Sequence, residues 1–233
     1  MRKLFNLAAF CVALALPVSA MADQPVYAVR ILGVKVGEMK LASQENANSY
    51  SVAASFNTTG LAGALSRVYF NVTAQGGKSG DRFVPSRYTE QMDTGERVEN
   101  GALTWQGGLP RRDGERFEDS NQLPAAQVRG AVDPMTGLFI VARDRPAEAL
   151  CNIDQKIYDG ERLTKIVFTK RETRGDAVIC SGRFQRLAGY SQDDLENNAI
   201  FPLTVTYRPA GDQMQMTEVR VKTIYGDATL NRR

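Results

Sequence analysis

The chain has 233 residues, of which 43% are hydrophobic and 24% are charged, a composition typical of globular proteins. Its net charge is only +3 and it has no polybasic block, which argues against nucleic-acid binding. The sequence contains no histidine, which excludes serine–histidine and cysteine–histidine catalysis, histidine-ligated metals and histidine pH switches.

The first residues have the pattern of a secretory signal peptide. Arg2 and Lys3 precede a mostly apolar run from Leu4 to Leu16. Two stretches then resemble a small-residue cleavage site, Val18-Ser19-Ala20 and the preferred Ala20-Met21-Ala22. The apolar run is shorter than the roughly 20 residues that span a bilayer, so a membrane anchor is the weaker interpretation. We therefore expect cleavage after Ala22 and export to a Gram-negative periplasm.

Removal of residues 1–22 leaves residues 23–233, which we expect to form a single β-rich domain of the cell envelope. Loss of Arg2 and Lys3 lowers the net charge from +3 to +1, so steering of an anionic macromolecule is not the leading idea. No later stretch is apolar and long enough to span a membrane.

Two cysteines remain after removal of the signal peptide, Cys151 and Cys180. An even number of cysteines in an oxidising compartment predicts a disulfide. Since Cys151 precedes a predicted hairpin and Cys180 lies in its second arm or the next strand, the bridge should connect neighbouring elements. The alternative is two separate buried thiols.

Most of the chain after residue 26 alternates between apolar and polar residues, which is typical of half-buried strands. The spacing of these segments predicts about ten or eleven antiparallel strands in a strongly curved sheet, a half-barrel or barrel-like fold, with one or two short helices. Gly33 permits a turn after the first strand. Gly37 marks a parity change of the kind that a β-bulge produces.

Helix signals are few. Asp133 is a good N-cap and Pro134 suits the first helical position, which predicts a helix from Pro134 to Ala142. The segment 59–65 is short and glycine-rich, so it should form a tight helical turn or a loop. Residues 106–122 are polar and should form a mobile connection.

A hairpin between residues 86 and 105 has two candidate turns, Thr94-Gly95 and Asn100-Gly101, and the alternation does not decide between them.

Short motifs in a fixed order make the chain resemble the bacterial exported proteins of domain-of-unknown-function family 3108. The motifs are Tyr27-x-Val29, Leu32-Gly33-Val34-x-Val36-Gly37, Thr59-Gly60-Leu61, Pro85-x-x-Tyr88, Val132-Asp133-Pro134-Met135-Thr136-Gly137-Leu138, Tyr158-Asp159-Gly160-x-Arg162, Cys180 and Ala188-Gly189-Tyr190. The resemblance covers nearly all of residues 23–233. It implies a curved antiparallel sheet in an envelope protein, favours Thr94-Gly95 as the turn, and transfers no catalytic residue.

Four residues are candidates for ligand binding. Tyr88 and Trp105 are aromatic side chains that can line an apolar or sugar-binding cleft, although ordinary core and cross-strand packing is the preferred explanation. Asp159 and Arg162 lie at a predicted turn and can hold a polar ligand group, or they can be ordinary turn residues.

No catalytic residue, metal site or cofactor is assigned. The acidic run at Asp193, Asp194 and Glu196 lacks calcium-loop spacing and should be a solvated loop.

These observations favour a non-enzymatic binding or envelope-maintenance protein whose concave sheet face holds an apolar or amphipathic ligand or a partner segment. A lipid, a glycan or an envelope protein is the expected partner. One alternative is a hydrolase of envelope polysaccharide that uses two carboxylates, for which Glu90, Glu96 and Asp159 are candidates. Another is a protein-interaction scaffold that uses a sheet edge.

Overall fold

The structure is a computed structural model that describes residues 24–65, 67–117, 122–224 and 226–233, so the predicted signal peptide and the predicted cleavage site lie outside the described residues. Thirteen strands are found in the described ranges. They are β1 (Val26–Ile31), β2 (Val34–Glu45), β3 (Ser49–Thr58), β4 (Tyr69–Ser79), β5 (Arg82–Asp93), β6 (Val98–Gln106), β7 (Leu109–Asp113), β8 (Asp154–Tyr158), β9 (Leu163–Arg174), β10 (Ala177–Ala188), β11 (Ile200–Ala210), β12 (Gln213–Thr223) and β13 (Gly226–Arg232).

All these strands form one antiparallel sheet with the order β7-β6-β5-β4-β3-β2-β1-β13-β12-β11-β10-β9-β8. The first seven strands form one meander and the last six form another. They join where β1 pairs with β13, with Val29 opposite Leu230. The predicted fold class is confirmed, whereas the predicted number of strands is too low by two or three.

Within the described ranges, four short helices and two single 3₁₀ turns accompany the sheet. The helices are α1 (Gly60–Leu65), α2 (Ala125–Val128), α3 (Pro134–Ala142) and α4 (Gln192–Asn197), and the turns are Glu115–Phe117 and Ala147–Ala149. The prediction for α3 is confirmed, including the cap, because the Asp133 side chain accepts from the Thr136 amide. The predicted acidic loop near Asp194 is wrong: Ser191 caps α4 there, with Asp193 and Asp194 in its first turn.

Helix α3 lies inside the curl of the sheet. It contacts β3, β4, β5, β8 and β12, which belong to both meanders, and seven of its nine residues are buried. Phe139 lies against Tyr50 and Phe83, with ring centroids 6.1 and 5.8 Å away. A helix that is apolar on nearly every side needs cover on nearly every side, and the curled sheet provides that cover.

The sheet is curled but not closed, because its edge strands β7 and β8 do not pair with each other. The gap is partly filled by the segment before α3. The Val132 amide donates to Lys156 of β8, and the Tyr158 amide donates to Val132. Across the gap, the Arg112 guanidinium of β7 donates to the Gly160 carbonyl at 3.3 Å.

The predicted disulfide is present, with 5.1 Å between the Cα atoms of Cys151 and Cys180. As expected, Cys151 precedes a hairpin, β8–β9, and Cys180 lies in the next strand, β10. Cys180 is on the buried face of β10, and β9 lies between β8 and β10 in the sheet. The bridge therefore fastens the segment that connects the two meanders to the inner face of the sheet.

The predicted mobile connection at 106–122 is also wrong for the residues that the structure describes. Gly107 and Gly108 form a turn, β7 pairs with β6, and a 3₁₀ turn follows at Glu115–Phe117. Strand β7 contains Pro110 and three charged residues, so it does not alternate like the other strands. An edge strand tolerates both proline and charge because one of its sides makes no ladder hydrogen bonds.

The turns β1–β2, β5–β6, β8–β9 and β12–β13 leave the sheet at the same end, which we call the mouth end. The hairpin turn that the resemblance favours is confirmed there, because β5 ends at Asp93 and β6 begins at Val98, with Thr94-Gly95 between them. The predicted bulge is also confirmed, since the β1–β2 register shifts between Val29, opposite Gly37, and Arg30.

Candidate functional site

An apolar cleft of about 310 Å³ lies between α3 and the inner face of strands β8 to β12. Pro134 and Leu138, four residues apart on α3, form one wall and are the two residues of this helix that are not fully buried. The other wall is mostly aliphatic and is formed by Ile157, Ile166, Phe184, Leu203, Val219 and Val221. The volume is at the lower end of the roughly 300–1,000 Å³ that ligand sites occupy.

Gly137 explains how close α3 comes to β8. A Cβ atom at this position would meet the Ile157 side chain at 2.5 Å. The glycine, in the middle of a helix where it lowers intrinsic helix stability, therefore allows the helix to lie against the strand. This contact sets the width of the cleft on that side.

Polar side chains are confined to one part of the cleft wall, next to the β8–β9 turn. Asp159, Arg162, Thr164 and Tyr190 line it there. The Asp159 carboxylate accepts from the backbone amides of Glu161 and Arg162 at 2.9 and 2.7 Å, which fixes the turn. Its other oxygen lies 3.4 Å from a guanidinium nitrogen of Arg116.

Tyr190 contacts two arginines. The guanidinium carbons of Arg162 and Arg186 lie 5.5 and 4.8 Å from the centre of its ring, distances at which a cation is attracted to an aromatic face. Burial, assisted by the Asp159 carboxylate, raises the pKa of Tyr190, so its hydroxyl is neutral. Arg186 forms an ion pair with Asp194 at the start of α4 and also lies over Phe201.

A second, polar chamber of about 670 Å³ adjoins the apolar cleft. It is lined by Met92, Arg97, Val98, Glu99, Glu115, Arg116, Glu161 and Arg162. Among the described lining residues, Arg162 borders both spaces. Its side chain therefore marks the boundary between an apolar and a polar compartment.

Two buried polar groups lie deeper in the molecule. The Asp133 carboxylate accepts from the Thr136 hydroxyl at 2.6 Å, and that hydroxyl lies 2.8 Å from the Tyr50 hydroxyl. Burial raises the pKa of Asp133 to about 6, although its bonds to Thr136 oppose the shift. Tyr88 donates to Glu90 at 2.7 Å, and Arg116 forms an ion pair with the same carboxylate.

The structure brings two of the four predicted candidates together, Asp159 and Arg162, which both line the apolar cleft. Tyr88 is instead a core residue, 2% exposed. Trp105 lines a different hollow of about 350 Å³ beside the β6–β7 turn.

Sequence reasoning gave no site role to Tyr190 or to the aliphatic wall. The alternation in β11 and β12 shows that Leu203, Val219 and Val221 share the inner face, but it does not show that a space remains beside them.

Exposed aliphatic side chains are concentrated at the mouth end. Seven large hydrophobic residues are exposed in the part of the chain that the structure describes. All except Val84 lie at the mouth end: Ile31, Leu32, Val34, Val98, Ile200 and Ile224. Leu32 packs against Gly226 of the neighbouring turn, so the β1–β2 and β12–β13 turns form one apolar tip. The β8–β9 turn, which carries Asp159 and Arg162, leaves the sheet at this same end.

Within the described ranges, none of the helices has the length and hydrophobicity required to cross a bilayer.

Comparison with known proteins gives a limited result. No family model matches the chain, and no curated protein matches it. Membership of family 3108 therefore stays a prediction. The chain is similar to a solved structure from Brucella abortus, which is described as a beta-barrel-like protein of domain of unknown function DUF1849. The TM-score is 0.49 and the sequence identity is 10%, and the alignment covers 90% of this chain and 94% of that one.

Proposed function

We propose that this protein is a non-enzymatic binding protein of the cell envelope that takes the apolar part of an amphipathic ligand into the cleft between α3 and β8–β12. The observation that carries the proposal is the lining of the cleft: aliphatic and aromatic on both walls, with its polar residues grouped beside one turn. An apolar cavity with a few convergent polar groups is the usual form of a small-molecule site.

The carboxylates around the cleft support binding rather than hydrolysis. A glycosidase needs two carboxyl groups that face one cleft, about 5–9.5 Å apart. Among the described residues that line this cleft, Asp159 is the one carboxylate, and it is engaged by two backbone amides and Arg116. Glu90 is held by Tyr88 and Arg116, and Asp133 caps α3.

The sheet edges support a ligand cleft rather than an edge-pairing scaffold. A scaffold that adds a partner strand needs a free ladder of backbone groups. On β8, the Lys156 carbonyl and the Tyr158 amide are already bonded to Val132 of the same chain. Strand β7, the other edge, is five residues long and contains a proline, which limits strand addition.

The cell compartment forms part of the proposal. A disulfide between Cys151 and Cys180 fits an oxidising compartment. We expect the exported protein to begin at Asp23, so its intact mass should equal that of residues 23–233. A mature product that retains Met1, or that carries lipid on Cys11, would contradict the export route.

The binding experiment uses 1-N-phenylnaphthylamine, an uncharged dye whose fluorescence rises in apolar surroundings. The wild-type protein should bind the dye and release it when decanol is added. Val221→Phe should weaken binding tenfold or more, equivalent to about 1.4 kcal/mol, because the larger side chain enters the cleft.

The control is Val34→Phe, since Val34 is 65% exposed in the β1–β2 turn and is outside the cleft lining. Both variants are first compared with the wild type by circular dichroism and thermal midpoint. If the two folded variants bind the dye equally well, or if the wild type does not bind it, the cleft is not the ligand site.

A further inference from the structure

We propose that the polar end of the ligand is an anion, a carboxylate or phosphate group, and that Arg162 holds it at the boundary between the apolar cleft and the polar chamber. This inference rests on the proposed function and specifies its ligand class. The ligand would be a single-chain anionic amphiphile, with the chain against α3 and the headgroup at the β8–β9 turn.

The position of Arg162 is the first argument. A molecule with its chain in the apolar cleft has its polar end where that cleft meets the polar chamber, and Arg162 lines both spaces. The side chain is exposed, so its guanidinium meets an incoming headgroup without having to leave the protein interior. The Tyr190 ring beside it supports the planar guanidinium by cation–π contact.

The charges around this boundary are the second argument. Among the described residues, no carboxylate lies within ion-pairing distance of Arg162, whereas Arg186 is paired with Asp194. Asp159 and Glu161 face Arg116, at 3.4 and 3.6 Å. Arg162 is therefore the cation at this boundary whose charge is not matched by a neighbouring carboxylate.

Two of the acidic residues that line the polar chamber face cations other than Arg162. Glu99 lies 3.3 Å from Arg97, and Glu161 shares Arg116 with Glu90 and Asp159. Glu115 lies in the 3₁₀ turn after β7 and is exposed to water. A guanidinium offers a planar pair of N–H donors that fits the two oxygens of a carboxylate or phosphate, so an anionic headgroup complements the free cation.

The test compares headgroups on one chain. Isothermal titration measures the binding of decanoate, decyl phosphate, decanol and decyltrimethylammonium, each below its aggregation threshold. We expect the two anions to bind at least tenfold more tightly than decanol, and the cation to bind less tightly than decanol. The advantage of the anions should shrink as salt is added. The ratio of decanoate to decyl phosphate affinity identifies the preferred anion.

Arg162→Gln should reduce the advantage of the anions over decanol, measured as the ratio of affinities within that variant, to within about threefold. Arg97→Gln is the matched control, because it removes the same charge from the polar chamber at a residue that already has a carboxylate partner. That variant should retain the anion preference.

The outcomes separate the two proposals. If decanol and decanoate bind equally well to the wild type, or if Arg162→Gln and Arg97→Gln lose the anion preference equally, the role of Arg162 is wrong and the cleft remains a binding site. If none of the four amphiphiles binds, the proposed function itself is wrong.

Discussion

A buried carboxyl group at the start of α3 makes the stability of the fold depend on pH. Asp133 is 0% exposed, and burial raises its pKa to about 6 from an ordinary value of 3.8. Because the folded protein favours the protonated acid, this group adds stability at low pH. That contribution is lost as the pH rises from about 4 through 6.

Replacement of Asp133 by asparagine should remove this pH dependence. The amide keeps an acceptor for the Thr136 N–H and cannot ionise. The unfolding free energy of Asp133→Asn should rise relative to the wild type by roughly 2 kcal/mol between pH 4 and 7, since each pKa unit corresponds to about 1.4 kcal/mol and the unfolded carboxyl is already partly ionised at pH 4. Urea titrations of both proteins across this range measure the difference, and a difference that does not change with pH would show that Asp133 is not held in its neutral form.

Gly182 is a second residue whose environment makes a definite prediction. It lies at a register shift between β9 and β10, and a Cβ atom there would overlap the Val167 carbonyl and the Cα atom of Phe168. Backbone atoms do not move aside as a flexible side chain does, so Gly182→Ala should lower the unfolding free energy by about 1–3 kcal/mol.

Gly77 provides the control for this substitution. It is also in a strand, but the nearest atom to an added Cβ, the Asn48 carbonyl oxygen, is 3.9 Å away. Gly77→Ala should be neutral or stabilising because alanine has less conformational freedom in the unfolded chain. Equal effects of the two substitutions in urea unfolding would show that the β9–β10 contact is looser than described.

Single residues could be predicted where the chemistry is local. Asp133 and Pro134 specify a cap and a first helical turn within four residues, and the Asp159-Gly160 pair specifies a turn. The contact of Tyr190 with Arg162 and Arg186 depends on the order of distant strands, which no local pattern contains. For this reason two of the thirteen described residues that line the cleft, Asp159 and Arg162, were found from the sequence, and the others were not.

At the scale of elements, the alternation of apolar and polar residues predicted the strands that bury one face. It did not predict two strands that lack a clearly buried face, β13 and β7. Strand β13 shows the same intermediate exposure along its whole length, and β7 is a short edge strand with charges and a proline. Neither has the period-two contrast on which prediction depends. The position of α3 inside the curl follows from the apolar residues on nearly every side of the helix, not from its length or its caps.

The disulfide is the element-level feature with the largest predicted effect on stability. The two cysteines are 29 residues apart, and the bridge ties the segment after α3 to β10. Replacement of both cysteines by alanine should lower the unfolding free energy by roughly 2–5 kcal/mol, because the unfolded chain gains freedom. The loss should appear in urea unfolding of Cys151→Ala/Cys180→Ala.

Reduction gives the internal control for the bridge. Dithiothreitol should destabilise the wild type by a similar amount and leave the double variant unchanged. Two free thiols per denatured, unreduced chain would contradict the disulfide. An unchanged stability of the wild type after reduction would contradict it as well.

At the scale of the whole molecule, the two meanders place the site on one side only. The apolar cleft uses α3 and the second meander, β8 to β12, whereas the strands of the first meander cover the other side of the helix with Tyr50 and Phe83. The join of β1 with β13 makes the two meanders one continuous sheet. A variant in the first meander should therefore change stability more than ligand affinity.

The central claim, that an alkyl chain occupies this cleft, is tested most directly by photocrosslinking. A ten-carbon carboxylic acid with a diazirine near its methyl end is bound, irradiated and mapped by peptide mass spectrometry. We predict labels on α3 and on β11–β12, at Leu138, Leu203 and Val221, which disappear when excess decanoate is present. Labelling confined to the exposed Leu32 and Val34 of the apolar tip, or labelling that decanoate does not displace, would contradict the account.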